Sequence, residues 1–301
     1  MSRVQIPKGS IELAGLIWRP KKQTSEESPA LIVVHPGGGV KEQAASLYAS
    51  KLADKGFITI TYDAAYQGES GGEPHFLEDP NSRVSDVFAA ANFIAQQEGV
   101  DSGKIAVVGI CAGGGYAVAA AKGDHRLKAV ATISMVNIGD GARLGWYGNE
   151  DPKKNAASLD QIAPLLTAEA GGADMSYAPY VPATIDENTP NDLKEANEYY
   201  LTPRCQHSNA QNKMLVASTP LVMSFDAFHL TDILLTMPTL LIVGEKAESR
   251  WHTEKLDKLI GGATKKIVVP NGTHMDFYDK PDYVDPSVEH VASFMTEILS
   301  R

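Results

Sequence analysis

The sequence predicts an α/β fold: a mostly parallel sheet with helices on both faces and a long helical insertion over it. Three observations carry this. Six short runs rich in Val, Ile and Leu alternate with helix-type patterns. An earlier segment, "SIELAGLIWRP", alternates apolar and polar residues as a leading antiparallel strand does. Between Met135 and Pro238 the rhythm breaks for about a hundred residues that hold no convincing core strand.

The six strand candidates are residues 30–35, 57–62, 104–110, 128–135, 238–244 and 265–270. They are almost continuously apolar, as strands covered on both faces must be. Among the helices, "EQAASLYASKLADKG" ends at Gly56, a C-terminal cap. In "SRVSDVFAAANFIA", Val84, Val87, Phe88, Ala91 and Ile94 recur at helical spacing. The last helix, "DPSVEHVASFMTEIL", is expected to start with Asp285 as N-cap and Pro286 at the first helical position. The broken region contains the helix-like "LDQIAPLLTAEA" and "NDLKEANEYYL" and a Pro- and Tyr-rich passage. It reads as a cap, residues 136–237, on a core made of 1–135 and 238–301. Its Trp146, Tyr147, Tyr177, Tyr180, Tyr199 and Tyr200 are candidates for lining an apolar cavity or for holding the cap together.

A chain of 301 residues with 43% hydrophobic content can bury a large core. Its formal net charge of −10 argues against a nucleic-acid partner, which needs clustered Lys and Arg. No apolar run approaches the ~18 residues of a membrane span, and the N-terminus has no apolar signal region. A soluble, cytoplasmic protein without a membrane partner is expected, and a homodimer is compatible with this composition. Cys111 and Cys205 are the two cysteines, too few for a disulfide framework. Neither His252 nor the other scattered histidines show metal-ligand spacing, and no metal or cofactor is expected.

The chemistry concentrates at "GICAGGGYA", where a strand pattern runs into a helix pattern. Gly-x-Cys-x-Gly at such a turn has the form of a nucleophile elbow with sulfur in place of oxygen. Cys111 would stand at a helix N-terminus, where the dipole favours the thiolate. After the last strand, "NGTHMDFYD" puts His274 at the C-terminal sheet edge as the base. The oxyanion hole would combine the Ala112 N–H with amides of the "HPGGGVKEQ" loop, at Gly37 and Gly38. His35 would fix that loop. An acid that orients the histidine is expected after the next-to-last strand. Three residues past Gly244 stands Ala247, so Glu248 is the first choice, with Glu245, Asp140 and Asn137 as alternatives. Cys205 has no assigned role. The stretch "VVHPGGG" to Asp63 imitates a dinucleotide site, but the third glycine position falls at Glu42.

These motifs resemble the α/β-hydrolase fold along nearly the whole chain apart from the cap. The "GICAGG" elbow is similar to the dienelactone-hydrolase branch, whose members use Cys, His and an acid. "HPGGGVKEQ", "YYLTPRCQHSN", "GEKAESRWHTE" and "GTHMDFYDKPDYVDP" look like the group of thiohydrolases and acyltransferases that offload polyketide chains. The resemblance implies attack on an acyl thioester, carrier-bound in some cases, through an acyl-Cys intermediate. An acyl-Cys is itself a thioester, so transfer from such a donor is nearly level in energy. The rival expectations are a lactonase or esterase acting on a small ester, and a non-catalytic binding protein on the same fold.

Overall fold

In the computed structural model, which describes residues 1–21, 27–261 and 264–300, the chain opens with an antiparallel pair. These strands are β1 (Ser2–Lys8) and β2 (Ile11–Trp18). Strands and helices then alternate: β3 (Ser28–Val34), α1 (Ala44–Asp54), β4 (Ile58–Tyr62), α2 (Pro80–Ile94), β5 (Val100–Ile110), α3 (Ala112–Gly123) and β6 (Leu127–Ile133). An inserted segment follows, with α4 (Ile138–Leu144), α5 (Pro152–Ala170), β7 (Tyr177–Ala178), α6 (Asn191–Leu201), β8 (Met214–Leu215), α7 (Ser218–Ser224) and α8 (Thr231–Leu234). The chain returns through β9 (Thr239–Gly244), α9 (Arg250–Leu259), β10 (Thr264–Val269), α10 (Asp276–Asp279) and α11 (Pro281–Leu299).

Eight strands form one sheet in the order β1-β2-β4-β3-β5-β6-β9-β10. β2 is antiparallel to β4, and every pairing from β4 to β10 is parallel. All six sequence-expected core strands are in it. Within the insertion, β7 and β8 pair with each other, and neither joins the large sheet. Among the described residues, no helix is long and apolar enough to cross a membrane.

The apolar runs serve two cores because side chains alternate across a strand. In β3, Ala30, Ile32 and Val34 face the layer holding Val87 and Ala91 of α2 and Ala117 of α3. Leu31 and Val33 face the opposite layer, with Tyr48 and Leu52 of α1 and Val291 and Met295 of α11. Full burial of each Val, Leu or Ile contributes roughly 1.5–3 kcal/mol, so both layers are strongly held.

The start of the last helix differs from expectation. It begins at Pro281 with extended Lys280 as N-cap, and Pro286 lies inside it. The rule that proline suits the first helical position holds, but at the earlier of two prolines. Pro286 has no N–H to give the Asp282 carbonyl, and the helix continues because Val284, Val288, Val291 and Met295 are buried in the core. Asp285 pairs instead with Lys51 of α1, at 2.7 Å.

Candidate active site

Cys111 sits between β5 and α3 with φ 54° and ψ −125°, a left-handed conformation uncommon for a residue with a side chain. The fold holds it there from both sides. Its N–H donates to the Ile133 carbonyl at 3.0 Å, and its own carbonyl accepts from the N–H groups of Gly114 and Val136 at 2.9 Å each. The turn is tight enough to require glycine around it. A Cβ on Gly109 would stand 2.2 Å from the Gly113 oxygen, and one on Gly113 would stand 2.4 Å from the Val34 oxygen.

His274 lies in the turn between β10 and α10 and is hydrogen-bonded to the Cys111 thiol. Tyr278, four residues on, reaches the same place: its hydroxyl lies 3.2 Å from His274 Nε2 and also bonds the thiol. Burial pushes the Cys111 thiol up. The charge and hydrogen bond of His274, the Tyr278 hydroxyl and the Ala112 N–H outweigh it, and the thiol ends below its ordinary value.

The glycine loop is beside the elbow. A Cβ on Gly37 would come within 3.5 Å of the Ala112 Cβ, and Gly38 has φ +69°. Among the described residues, no protein acceptor takes the Gly37 or Gly38 N–H. His35 fixes this loop from within. Its Nδ1–H donates to the Pro36 carbonyl at 2.7 Å, and its Nε2 accepts from the Ala64 N–H at 3.1 Å. Tyr180 of the insertion lies across Gly38, and its hydroxyl donates to buried Glu78 at 2.7 Å. Tyr116 of α3 donates to the other Glu78 oxygen, so the insertion and the nucleophile helix share one anchor. Asp63, the acid of the dinucleotide-like stretch, is taken by the Lys41 backbone N–H and ammonium and by the Glu69 N–H.

The acid position is where the structure departs from expectation. His274 Nδ1 meets the Ser249 hydroxyl at 2.6 Å, one residue beyond Glu248. Glu248 turns the other way. Its carboxylate accepts from Trp146 Nε1 at 2.8 Å and from the Asn191 and Asp192 N–H groups at the start of α6, each at 3.0 Å. It caps a helix of the insertion and does not reach the histidine ring. Glu245 accepts from the Asn271 N–H, while Asp140 is paired with Arg143 and Lys255. Asn137 bonds Asp140 and Asp226, so none of these alternatives meets His274 either.

Another carboxylate does touch this region. Asp192 of α6 is buried and accepts from the Glu248 N–H at 2.8 Å and the His274 N–H at 3.3 Å. It thus links the loops that carry Ser249 and His274. Burial pushes its pKa up to about 7 against the help of those two N–H groups, and the neighbouring Glu248 and Glu195 charges add to the rise. Sequence reading missed Ser249, Tyr278 and Asp192. Only Tyr278 left a signal, a one-turn spacing from His274.

Beside Ser249 opens a cavity of about 300 Å³, walled by Val136 and Ile138 beyond β6 and Met214 and Val222 of the insertion. Trp146 and Tyr180 also line it, as two of the six aromatic candidates. Tyr199 and Tyr200 pack edge-on against Tyr278, at 5.2 and 6.3 Å between ring centres, while Tyr147 and Tyr177 are exposed. Cys205 is a free thiol that bonds Tyr199.

The family described as X-Pro dipeptidyl-peptidase (S15 family) matches residues 8–162. YcjY of Escherichia coli (strain K12) is 37% identical over 292 residues, covering 96% of this chain and 95% of that one. PA2218 of Pseudomonas aeruginosa is 31% identical over 96% of this chain and 78% of its own length. Its crystal structure superposes with a TM-score of 0.92 at 29% identity, covering 99% of this chain and 93% of that one. The structure of the α/β hydrolase GrgF from Penicillium sp. superposes at 0.82 with 19% identity, covering 100% and 99%. GrgF carries the name polyketide transferase, and its sequence is 24% identical over 250 residues, 81% of each chain. With an elbow, a histidine beyond the last parallel strand and these relatives, the chain is an α/β-hydrolase-fold enzyme and belongs to the S15 family.

Proposed function

We propose that this enzyme cleaves an acyl thioester or ester through an acyl-Cys111 intermediate, as a polyketide-type thiohydrolase or acyltransferase of the dienelactone-hydrolase-like kind. One observation carries the reading: a thiol on a strained elbow, hydrogen-bonded to His274 and Tyr278 and held below its ordinary pKa although burial opposes this. The likeness to GrgF supports acyl transfer as the class of reaction.

In the first half-reaction Cys111 Sγ attacks the acyl carbon while His274 Nε2 takes the thiol proton. The oxyanion meets the N–H groups of Ala112 and the Gly37–Gly38 loop. Collapse breaks the bond to the leaving thiol or alcohol, which receives the proton from His274. Water or an alcohol then attacks acyl-Cys111, gives its proton to His274, and the thiol is re-formed. A hydroxyl at Nδ1 suits sulfur. A thiol of ordinary pKa ≈ 8.5 needs far less help from its base than an alcohol, so Ser249 can orient the ring without supplying charge.

Intact-mass analysis after mixing with acyl thioesters tests this. The parent should gain one acyl mass, Cys111→Ala none, and added alcohol should appear in the product if transfer operates. No adduct and no turnover with any thioester would sink the thioester reading and leave an ester hydrolase or a binding protein.

A further inference from the structure

We propose that His252 is a specificity residue, whose Nε2–H donates a hydrogen bond to an oxygen carried along the acyl chain. The favoured substrates are then acyl groups bearing a ketone or hydroxyl, in preference to plain alkyl chains. This rests on the acyl-cysteine reading above and adds the substrate class to it.

His252 lies one helical turn beyond Ser249 and borders the same cavity. The backbone N–H of Asn137 donates to its Nδ1 at 3.4 Å. A backbone N–H can only donate, so Nδ1 bears no proton, and in the neutral ring the proton is on Nε2. The ring stays neutral because burial, then the nearby His274 and Lys255, pull its pKa down to about 3. Stacking on Trp251 at 3.6 Å and 27° fixes its plane.

The other polar side chains on the wall are already engaged. The Tyr180 hydroxyl is on Glu78, Trp146 Nε1 is on Glu248, and the Ser249 hydroxyl is on His274. Among the described residues nothing in the protein accepts from His252 Nε2, and no Asp, Glu, Lys or Arg lines the cavity. The wall is therefore apolar apart from these engaged groups and His252, whose Nε2–H has no protein acceptor among the described residues. At about 300 Å³ it is twice a cavity that takes benzene, so it fits an uncharged tail of roughly ten heavy atoms. An alkyl tail would leave that donor dry and unpaired, whereas a ketone would pair it.

The test uses N-acetylcysteamine thioesters of octanoic acid and of its oxo derivatives with a ketone at successive odd carbons. The readout is the rate of acyl-Cys111 formation by intact mass, for the parent, His252→Phe and His252→Gln. His252→Phe keeps a ring on Trp251 but removes the donor, and His252→Gln keeps a donor. The parent should favour one ketone isomer by about tenfold, a preference that Phe abolishes and Gln partly restores. The acetyl thioester carries no chain to place in the cavity and should react equally in all three, which verifies folding. Adduct without a ketone preference, or a preference that survives in His252→Phe, overturns the assignment of His252 alone. No adduct from any thioester in the parent overturns the acyl-cysteine reading and this inference with it.

Discussion

Cys111 is placed by one continuous stretch, the end of β5, the turn and the start of α3, whereas His274 is held by groups from three separate stretches. The thiol's conformation is held by backbone contacts alone, with Gly114 in the same turn and with Ile133 and Val136 at and just past the end of the neighbouring β6. The histidine's ring is held by Ser249 from the turn after β9 and by Tyr278 from its own helix turn, and its backbone by Asp192 from the insertion. A site half built on backbone tolerates no change in shape. A half built from side chains can exchange its parts, and here Ser249 stands where an acid was expected. The comparison also shows what the insertion adds: it reaches the histidine loops through Asp192 and the glycine loop through Tyr180.

The largest effect should therefore come from the backbone-built half. In Gly113→Ala the new methyl would stand 2.4 Å from the Val34 oxygen and 2.6 Å from the His35 oxygen, both backbone atoms that cannot swing away. The loss should be roughly 3 kcal/mol or more by urea denaturation, with Cys111 acylation gone. On the same helix, Gly123→Ala meets the Phe88 ring at 3.3 Å, a side chain that can shift, and should be nearly neutral. Similar stability for the two variants would break the distinction between the halves.

The same difference governs how much of the molecule is legible in its sequence. Glycine, strand and helix patterns encode backbone shape, and from them the six parallel core strands, one leading antiparallel strand and the turns that carry Cys111, the glycine loop and His274 are legible, whereas β1 left no such reading. Nothing local marks Ser249 as the partner of His274, because a serine in a loop has many ordinary uses. Glu248 is the reasonable choice by type and position, yet two N–H groups at the N-terminus of α6 and the Trp146 indole compete for its carboxylate. That competition arises from the insertion, about fifty residues away in sequence, and no local pattern predicts such contacts. The start of the last helix failed for a smaller reason: two prolines five residues apart both satisfy the same rule.

Asp192 offers the second test, on the assembled half. Its folded pKa of about 7 lies above the unfolded value near 4, so the folded state holds the proton more tightly. The stability this contributes is full below about pH 4 and is lost as pH rises toward 7. Asp192→Asn does not titrate, but it presents one oxygen where Glu248 and His274 offer two N–H groups. The parent should be the more stable of the two at pH 4 to 5. The gap should then narrow by up to about 1.4 kcal/mol per pH unit and level off above pH 7. A gap in urea midpoint that does not change with pH would mean that Asp192 is not the titrating link between the loops.

The smallest effect expected is at Ser249, and its size is informative. Where a carboxylate orients the histidine of a serine triad, its replacement by an amide costs about 10⁴-fold in rate. Ser249 carries no charge, so Ser249→Ala removes a hydrogen bond to Nδ1 and nothing else. About a tenfold slower acylation of Cys111 follows, with the shape of the pH–rate profile retained. A loss near 10⁴-fold would show that charge reaches the ring through Ser249, and the buried carboxylate that bonds both loops is Asp192 of α6. The double variant Ser249→Ala, Asp192→Asn separates the cases. Additive losses place the two residues in independent roles, orienting the ring and joining the loops. A double loss no greater than that of Ser249→Ala would mean that they act on His274 as one unit.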